Sequence, residues 1–259
     1  MKRSKVSCLM VTRNRVELAR RAVTCFANQT WENSELVIVD DGDEDYTPML
    51  EPFAARGYDI KYVRLVADAG NTLGRLRNHS IDLATGDWCI QWDDDEWYHP
   101  WRIERQASVL GRRSIASALR WTLMSVERPA GEPWAFRADA GFATPGTVMH
   151  RPDAARYPEL RRSEDSVFLS ALRSAGHVEV LGRDDAHLFV RCFHGNNTWD
   201  EQHFLKRLHR RPLDWPAYFW AKHVRHDLRE HRAFRLTVEE FQTLEAMSRW
   251  DRLVMSRVA

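Results

Sequence analysis

A chain of 259 residues is long enough for one large α/β domain or two joined halves, and 44% hydrophobic with 29% charged residues excludes a disordered polymer. A formal charge of +1 excludes a chain-wide electrostatic footprint for nucleic acid. No apolar run approaches the roughly 20 residues that span a bilayer, and the run from Val6 to Val11 leads into Thr12-Arg13-Asn14 without a small-residue cleavage site, so it reads as a strand of a cytoplasmic protein. That run is short and continuously apolar, as expected of a strand buried on both faces. Asn14 followed by Glu17 reads as a capping box, and Val16, Ala19, Val23 and Phe26 then recur at helical spacing. Leu36 to Val39 is a second strand ending in Asp40-Asp41-Gly42. Thr47 to Ala55 reads as a helix, with Pro48 tolerated in its first turn. Ile60 to Leu65 is a third strand, Gly74 to Leu83 a helix, and Trp88 to Trp92 a fourth strand running into Asp93-Asp94-Asp95-Glu96. This β-α-β-α rhythm predicts a parallel sheet with right-handed crossovers.

Beyond Pro100 the rhythm changes. Trp101 to Leu110 reads as a helix. Ala118 to Val126 and Pro133 to Arg137 flank the turn signal Pro129-Ala130-Gly131, which predicts a hairpin. Thr147 to His150 is a short strand, Ser166 to Ser174 a helix stopped by Gly176, and Val178 to Leu181 and His187 to Phe193 are strands. From Asp200 the pattern is helical and rich in Arg, His and Trp. Cys8, Cys25, Cys89 and Cys192 have no C-x-x-C spacing, so buried free thiols are expected rather than a zinc site or disulfides.

In an open parallel sheet, ligands bind beyond the carboxyl ends of the strands. Three of these strand ends suit a nucleotide: Thr12-Arg13-Asn14, Asp40-Asp41, and Asp93 to Glu96. Four successive acids repel one another unless water or a cation absorbs their charge, and a hard divalent ion suits carboxylates and diphosphate oxygens together. The alternative for the run alone is a solvated acidic loop near Trp97.

Several fragments resemble family-2 glycosyltransferases. Val6 to Arg15 resembles the opening strand and loop of that family, and Ala27-Asn28-Gln29-Thr30 its turn after the first helix. Leu36 to Gly42 is similar to its second strand and "VDDG" end, and Gly74-Arg75-Leu76-Arg77-Asn78 to its "G-x-x-x-A-R-N" helix start. Ala84-Thr85-Gly86-Asp87, followed by Trp92-Asp93-Asp94-Asp95, is similar to its "ATG(D/E)…D-x-D" segment. The resemblance implies an α/β GT-A fold: a Rossmann-like, mostly parallel central sheet flanked by helices, with a C-terminal helical extension. It divides the chain into a nucleotide-sugar-binding half at 1–106, an acceptor-binding and catalytic half of the same domain at 107–199, and the extension at 200–259. It implies an inverting, metal-dependent transferase that moves a sugar from a nucleotide diphosphate, UDP by default, to an acceptor hydroxyl in surface glycan or polysaccharide biosynthesis. Carried over, Thr12 and Asp40 or Asp41 would face base and ribose, with Asn14 also in the nucleotide-sugar site. Arg77 would support the base end or the diphosphate, Asp93 the ribose or donor sugar with Asp94 beside it, and Asp95 would hold Mn²⁺ or Mg²⁺.

The family also has a downstream acidic pair, and Glu164-Asp165 stands at that place, with Asp165 as general base and Glu164 on the acceptor side. Asp165 opens a helix, where the dipole favours a carboxylate; the role of plain N-cap is compatible. In Arg191 to Trp199, His194 is the candidate further metal ligand, since neutral imidazole can complete a shell of one carboxylate and two phosphate oxygens. Trp199 is a candidate acceptor contact through ring stacking. Two departures from the family pattern stand out. Arg13 replaces its aromatic opening, and Arg249-Trp250 carries Ala246 where processive members have glutamine. The basic and aromatic stretch from His203 to Lys222 suggests a packed helix, a homodimer arm, or peripheral contact with the inner face of a membrane that bears a lipid-linked acceptor. A sugar-1-phosphate nucleotidyltransferase would need a glycine-rich loop after the first strand, which Thr12 to Val16 lacks. A catalytically inactive sugar-nucleotide or glycan-binding module is the other alternative.

Overall fold

A computed structural model of the chain describes residues 3–258 except 69, 129–131, 196, 198 and 199, and gives the backbone alone for 253–258. The chain forms two compact units that interleave in sequence: unit 1 holds Met1–Leu119 and Ala143–Leu181, and unit 2 holds Arg120–Phe142 and Gly182–Ala259. The predicted turn at 129–131 lies outside the described residues.

Unit 1 begins with β1 (Val6–Thr12), α1 (Val16–Ala27), β2 (Ser34–Asp40), α2 (Thr47–Ala54), β3 (Ile60–Arg64), α3 (Leu73–Leu83) and β4 (Trp88–Gln91). Each strand end falls within two residues of its sequence expectation. The reason is visible in β1, β2 and β4, whose residues are almost all buried, so the apolar runs had one role to fill. After β5 (Trp97–Tyr98) and α4 (Arg102–Ser108) comes β6 (Ser114–Leu119). In unit 2, β7 (Trp121–Val126) and β8 (Trp134–Asp139) follow. The chain returns to unit 1 with β9 (Met149–His150), α5 (Glu164–Ala175) and β10 (His177–Leu181). The unit 1 sheet has seven strands in the order β10-β6-β9-β4-β1-β2-β3. β1 pairs in parallel with both β2 and β4, β2 with β3, and β10 with β6, while β9 runs antiparallel to β4 and β6. This is the largely parallel α/β sheet flanked by helices that the sequence predicts.

Three local expectations are corrected. Asn14 does not cap α1: the N-cap is Arg15, with no side-chain cap bond, and Asn14 sits at φ 51° with its Oδ1 accepting the N–H groups of Asp43 and Glu44 at 2.7 and 3.2 Å. The run expected as one strand from Ala118 splits at Arg120 into the end of β6 and the whole of β7, which belong to different units. Residues 183–188, expected to open a strand at His187, form a 3₁₀ turn instead.

In unit 2, β7 pairs antiparallel with β8, from Trp121 opposite Asp139 to Val126 opposite Trp134. β11 (Phe189–Phe193) runs parallel to β7. Then come α6 (Glu201–Leu205), α7 (Trp215–Phe219) and α8 (Val238–Val258), joined by short 3₁₀ and π turns. Met124, Val126, Phe136, Phe204 and Leu208 form a buried cluster. A fully buried ion pair, Arg137 Nη1 to Glu240 Oε1 at 2.7 Å, ties β8 to α8. All four cysteines are free and buried.

Candidate active site

The parallel register sets the site. Thr12, the last residue of β1, stands opposite Asp40, the last residue of β2. On the other side of β1, β4 runs out into the acidic sequence 93–96. Thr12 is 3% exposed and joins the two neighbours: its Oγ1 donates to Asp94 Oδ2 at 2.6 Å and lies 2.7 Å from the Tyr46 hydroxyl. The carboxylate-bearing ends of β2 and β4 therefore flank Thr12 at the end of β1 between them.

The individual acids differ in their surroundings. Asp40 is fully buried and saturated, accepting the Gly42 N–H and the Tyr62 hydroxyl at 2.8 Å each, so it shapes the loop after β2. Asp41 is also buried. Burial pushes its carboxyl up, against the pull of the Arg13 guanidinium 3.7 Å away and with a further push from Asp40. Gly42 cannot carry a side chain, because a Cβ would lie 2.4 Å from Asn14 Oδ1. Asn14 thus locks the β1 and β2 loops together.

In the acidic run the side chains alternate. Asp93 and Asp95 keep 26% and 15% of their side-chain surface, whereas Asp94 keeps 7% and turns inward to Thr12. Burial, and then the Asp95 charge, push the Asp94 carboxyl up to about 7, although Thr12 and Arg15 pull it down. Asp93 accepts Gln91 Nε2 through both oxygens, at 3.1 and 3.0 Å, and Arg77 Nη2 at 3.0 Å. The loop at Gly146 comes close behind it, where a Cβ would stand 3.3 Å from Asp93 Oδ2. Asp95 meets Arg15 Nη1 at 3.2 Å, and its carbonyl accepts Arg21 Nη2 at 2.6 Å.

Arg77 extends the site toward α5. Its guanidinium pairs with Asp93, lies 3.2 Å from Glu164 Oε1, and stacks 5.5 Å from the centre of the Tyr157 ring. Glu164 is 2% exposed. Burial raises its carboxyl, Arg77 pulls it down, and Asp165 raises it again. Asp165, in the first turn of α5, uses one oxygen: Oδ1 accepts the Ser166 N–H at 2.6 Å and lies 3.3 Å from the Ser166 hydroxyl. Thr12, Asn14, Asp40, Asp41, Arg77, Asp93, Asp94, Asp95, Glu164 and Asp165 are therefore all in unit 1, linked by the contacts above. His194 lies in unit 2 just past β11, its backbone N–H donating to Asn197 Oδ1 at 2.8 Å. Trp199 lies outside the described residues. Trp92 belongs to the core, fully buried, stacked 3.9 Å from Tyr98, with its indole N–H on the Ala22 carbonyl.

The geometry adds Arg15, Tyr46, Gln91 and Tyr157. Arg15 bridges Asp94 and Asp95, and its own N–H donates to the Tyr46 hydroxyl at 2.8 Å. Tyr157 donates to Gln91 Oε1 at 3.3 Å and stacks on Phe168 at 3.9 Å. Arg15 stood beside Asn14 in the loop after β1, which was its only sequence signal. Among the described residues, no three His, Cys, Asp or Glu side chains are gathered in a set that could hold a metal by themselves. Asp93 and Asp95 nevertheless keep partly exposed carboxylates beside a carboxyl that burial and the Asp95 charge have raised, a donor set that suits a divalent ion sharing its shell with ligand oxygens.

Residues 7–130 match the family model described as glycosyl transferase family 2. The putative glycosyltransferase EpsH of Bacillus subtilis is 30% identical over 112 residues, 43% of this chain and 32% of that protein. The amylovoran biosynthesis glycosyltransferase AmsB of Erwinia amylovora is 31% identical over 114 residues, 43% of this chain and 38% of that protein. The chain thus spans about a third of the length of these curated relatives. Among solved structures, S. aureus TarS residues 1–349 in complex with UDP covers 91% of this chain and 76% of that one, with a TM-score of 0.56 at 19% identity. The mannosyltransferase PcManGT from Pyrobaculum calidifontis, in complex with GDP-Man and Mn²⁺, covers 86% and 63%, with a TM-score of 0.56 at 13% identity. At these identities the structural likeness is one of fold.

Proposed function

Residues 7–130 belong to glycosyltransferase family 2, and from that premise we propose that the chain transfers a sugar from a nucleotide diphosphate, UDP by preference, to an acceptor hydroxyl with inversion, in the building of a polysaccharide or surface glycan. The observation that carries the reading is the Thr12 junction, where Asp40 stands opposite Thr12 in register and Asp94 is hydrogen-bonded to it at 2.6 Å. Thr12, Asn14, Asp41 and the buried Asp40 shape the base and ribose end. Arg77, Asp93 and Asp94 bound the diphosphate and donor-sugar end. In functional use, 1–106 serves the donor, 107–199 the acceptor, and 200–259 is an extension.

Asp95 would hold Mn²⁺ or Mg²⁺ together with diphosphate oxygens, and such an ion would stabilise the charge of a departing diphosphate. The protein's own part is proton transfer and orientation. Because Ser166 occupies Asp165 Oδ1, Oδ2 is left to take the acceptor proton. As the acceptor oxygen bonds to the anomeric carbon, the bond to the diphosphate oxygen on the opposite face breaks, and the proton ends on Asp165. Arg77, held between Asp93 and Glu164, keeps α5 in place relative to the acidic run. Glu164 and Trp199 are assigned to the acceptor side.

Among the described residues no helix is long and apolar enough to cross a membrane. Leu213, Trp215, Phe219 and Trp220 are 80%, 54%, 58% and 59% exposed, next to Arg210, Lys222 and His223, which supports peripheral contact with an anionic lipid surface on the cytoplasmic side. The test of the transferase reading is nucleotide release from a panel of UDP-, GDP- and dTDP-sugars with glycan and lipid-linked acceptors. Asp165→Asn is expected to keep donor affinity and to lose transfer by about two orders of magnitude or more. Wild-type turnover in that variant would move the base elsewhere. Donor binding without turnover on any acceptor would favour an inactive sugar-nucleotide-binding module.

A further inference from the structure

Unit 2 contains a cavity of about 280 Å³ whose lining residues all belong to that unit. Five guanidiniums line it against two carboxylates, Asp139 and Asp214. The carboxylates act as struts. Asp139 accepts Arg120 at 2.9 and 3.0 Å and Arg211 at 2.6 Å, and Asp214 accepts Arg211 at 3.2 Å and also Arg232. Each carboxylate therefore fixes two arginines, Glu240 neutralises Arg137, and Arg183 leaves the cavity a surplus of positive charge. Arg183 is exposed, and among the described residues its contact is the Trp121 ring at 5.9 Å rather than an acid. Arg211 and Arg120 stand 5.6 and 5.9 Å from the same ring.

His231 supplies an independent observation. It is 3% exposed and lines the cavity, and its Nε2 is buried with no hydrogen-bond partner. Its Nδ1 accepts the Ala233 N–H at 3.2 Å, so the neutral ring carries its proton on Nε2. Burial holds the ring below its ordinary pKa, with the Asp214 charge and backbone opposing and Arg232 reinforcing. A buried N–H without an acceptor, beside fixed guanidiniums and an indole, lacks one kind of neighbour: anionic oxygens next to an apolar ring face.

We propose that this cavity binds an anionic sugar unit, with its phosphoryl or carboxylate oxygens on Arg183, Arg207, Arg211 and His231 and its ring against Trp121. The proposal names the acceptor class of the transferase reading and extends its acceptor side from 107–199 into residues 207–233; in that respect it rests on that reading, and the binding itself can be measured separately. The volume, at the lower end of the range for small-molecule sites, suits one sugar residue with its charged group.

Titration calorimetry of the full chain with glucose 6-phosphate, glucuronate, glucose and inorganic phosphate tests it. Glucose 6-phosphate, glucuronate or both are expected to bind at least about tenfold more tightly than glucose, and the stronger of the two identifies the anion. Glucose 6-phosphate should also bind more tightly than inorganic phosphate. Arg183→Glu should weaken the charged sugar about tenfold or more, with Arg183→Lys retaining most of the affinity and both variants melting as the wild type. Equal affinity for glucose, no binding of either charged sugar, inorganic phosphate binding as well as glucose 6-phosphate, or an unchanged affinity in a natively folded Arg183→Glu variant would overturn it. A wild-type chain that ignores UDP, GDP and dTDP yet binds a charged sugar through Arg183 would leave this site standing and remove the transferase reading.

Discussion

Asp94 shows how one side chain can serve two demands. Its hydrogen bond with Thr12 joins β1 to the acidic run, yet burial and the Asp95 charge lift its carboxyl from 3.8 to about 7. The folded chain therefore keeps a proton that the unfolded chain releases above pH 3.8. By linkage, folding stability falls as the pH rises through that interval, and above about pH 7 the cost is constant. Asp94→Asn removes the charge and keeps an acceptor for Thr12. Its melting temperature should exceed the wild type's at about pH 8, by roughly 2–4 °C for each kcal/mol of crowding relieved, and the gap should narrow toward about pH 5. A constant gap across that range would mean that Asp94 does not titrate as described. Glu35 behaves oppositely. Burial would raise it, but hydrogen bonds from Ser7, the Thr85 N–H and Lys5 prevail and hold it at about 2.

At the scale of elements, α3 depends on a close approach. A Cβ at Gly74 would stand 1.8 Å from the Pro158 carbonyl oxygen, and the Gly74 N–H already donates to Leu160 at 3.1 Å. Alanine gains about 1 kcal/mol of helix propensity over glycine, whereas overpacking against backbone costs roughly 1–3 kcal/mol. Gly74→Ala should therefore be net destabilising in chemical denaturation, and because Arg77 lies one turn on, it should also weaken donor binding. A stabilised variant would show that the 158–160 loop yields freely. The elements of the first hundred residues were legible because β1, β2 and β4 are buried on both faces and end in Thr12, Asp40 and the acids at 93–95. Arg15, Tyr46, Gln91 and Tyr157 were not, because their partners lie far along the chain: the Arg15–Asp95 bond spans 80 residues, the Arg15–Tyr46 bond 31 and the Tyr157–Gln91 bond 66. The boundary at Arg120 was hidden because Ala118 to Val126 holds no Gly or Pro and reads as one strand. The short 3₁₀ turns of unit 2 carry no periodicity to read.

On the scale of the whole molecule, the two units carry different chemistry. Unit 1 gathers carboxylates at strand ends, of which Asp93 and Asp95 stay partly exposed. Unit 2 gathers guanidiniums around an indole and exposes Leu213, Trp215, Phe219 and Trp220, the surface proposed for lipid. Replacing Trp215 and Trp220 together with Ser should lower co-sedimentation with vesicles containing anionic lipid severalfold, since each indole buries apolar area at the interface. Equal sedimentation of variant and wild type would assign those residues another role. The most direct measurement for the account as a whole is calorimetric binding of UDP, with GDP in parallel, to wild type and Asp95→Ala with and without Mn²⁺. The account predicts that the wild type binds a nucleoside diphosphate with an Mn²⁺-dependent affinity and that the variant loses the dependence. The same affinity in both proteins, with or without the ion, would contradict it.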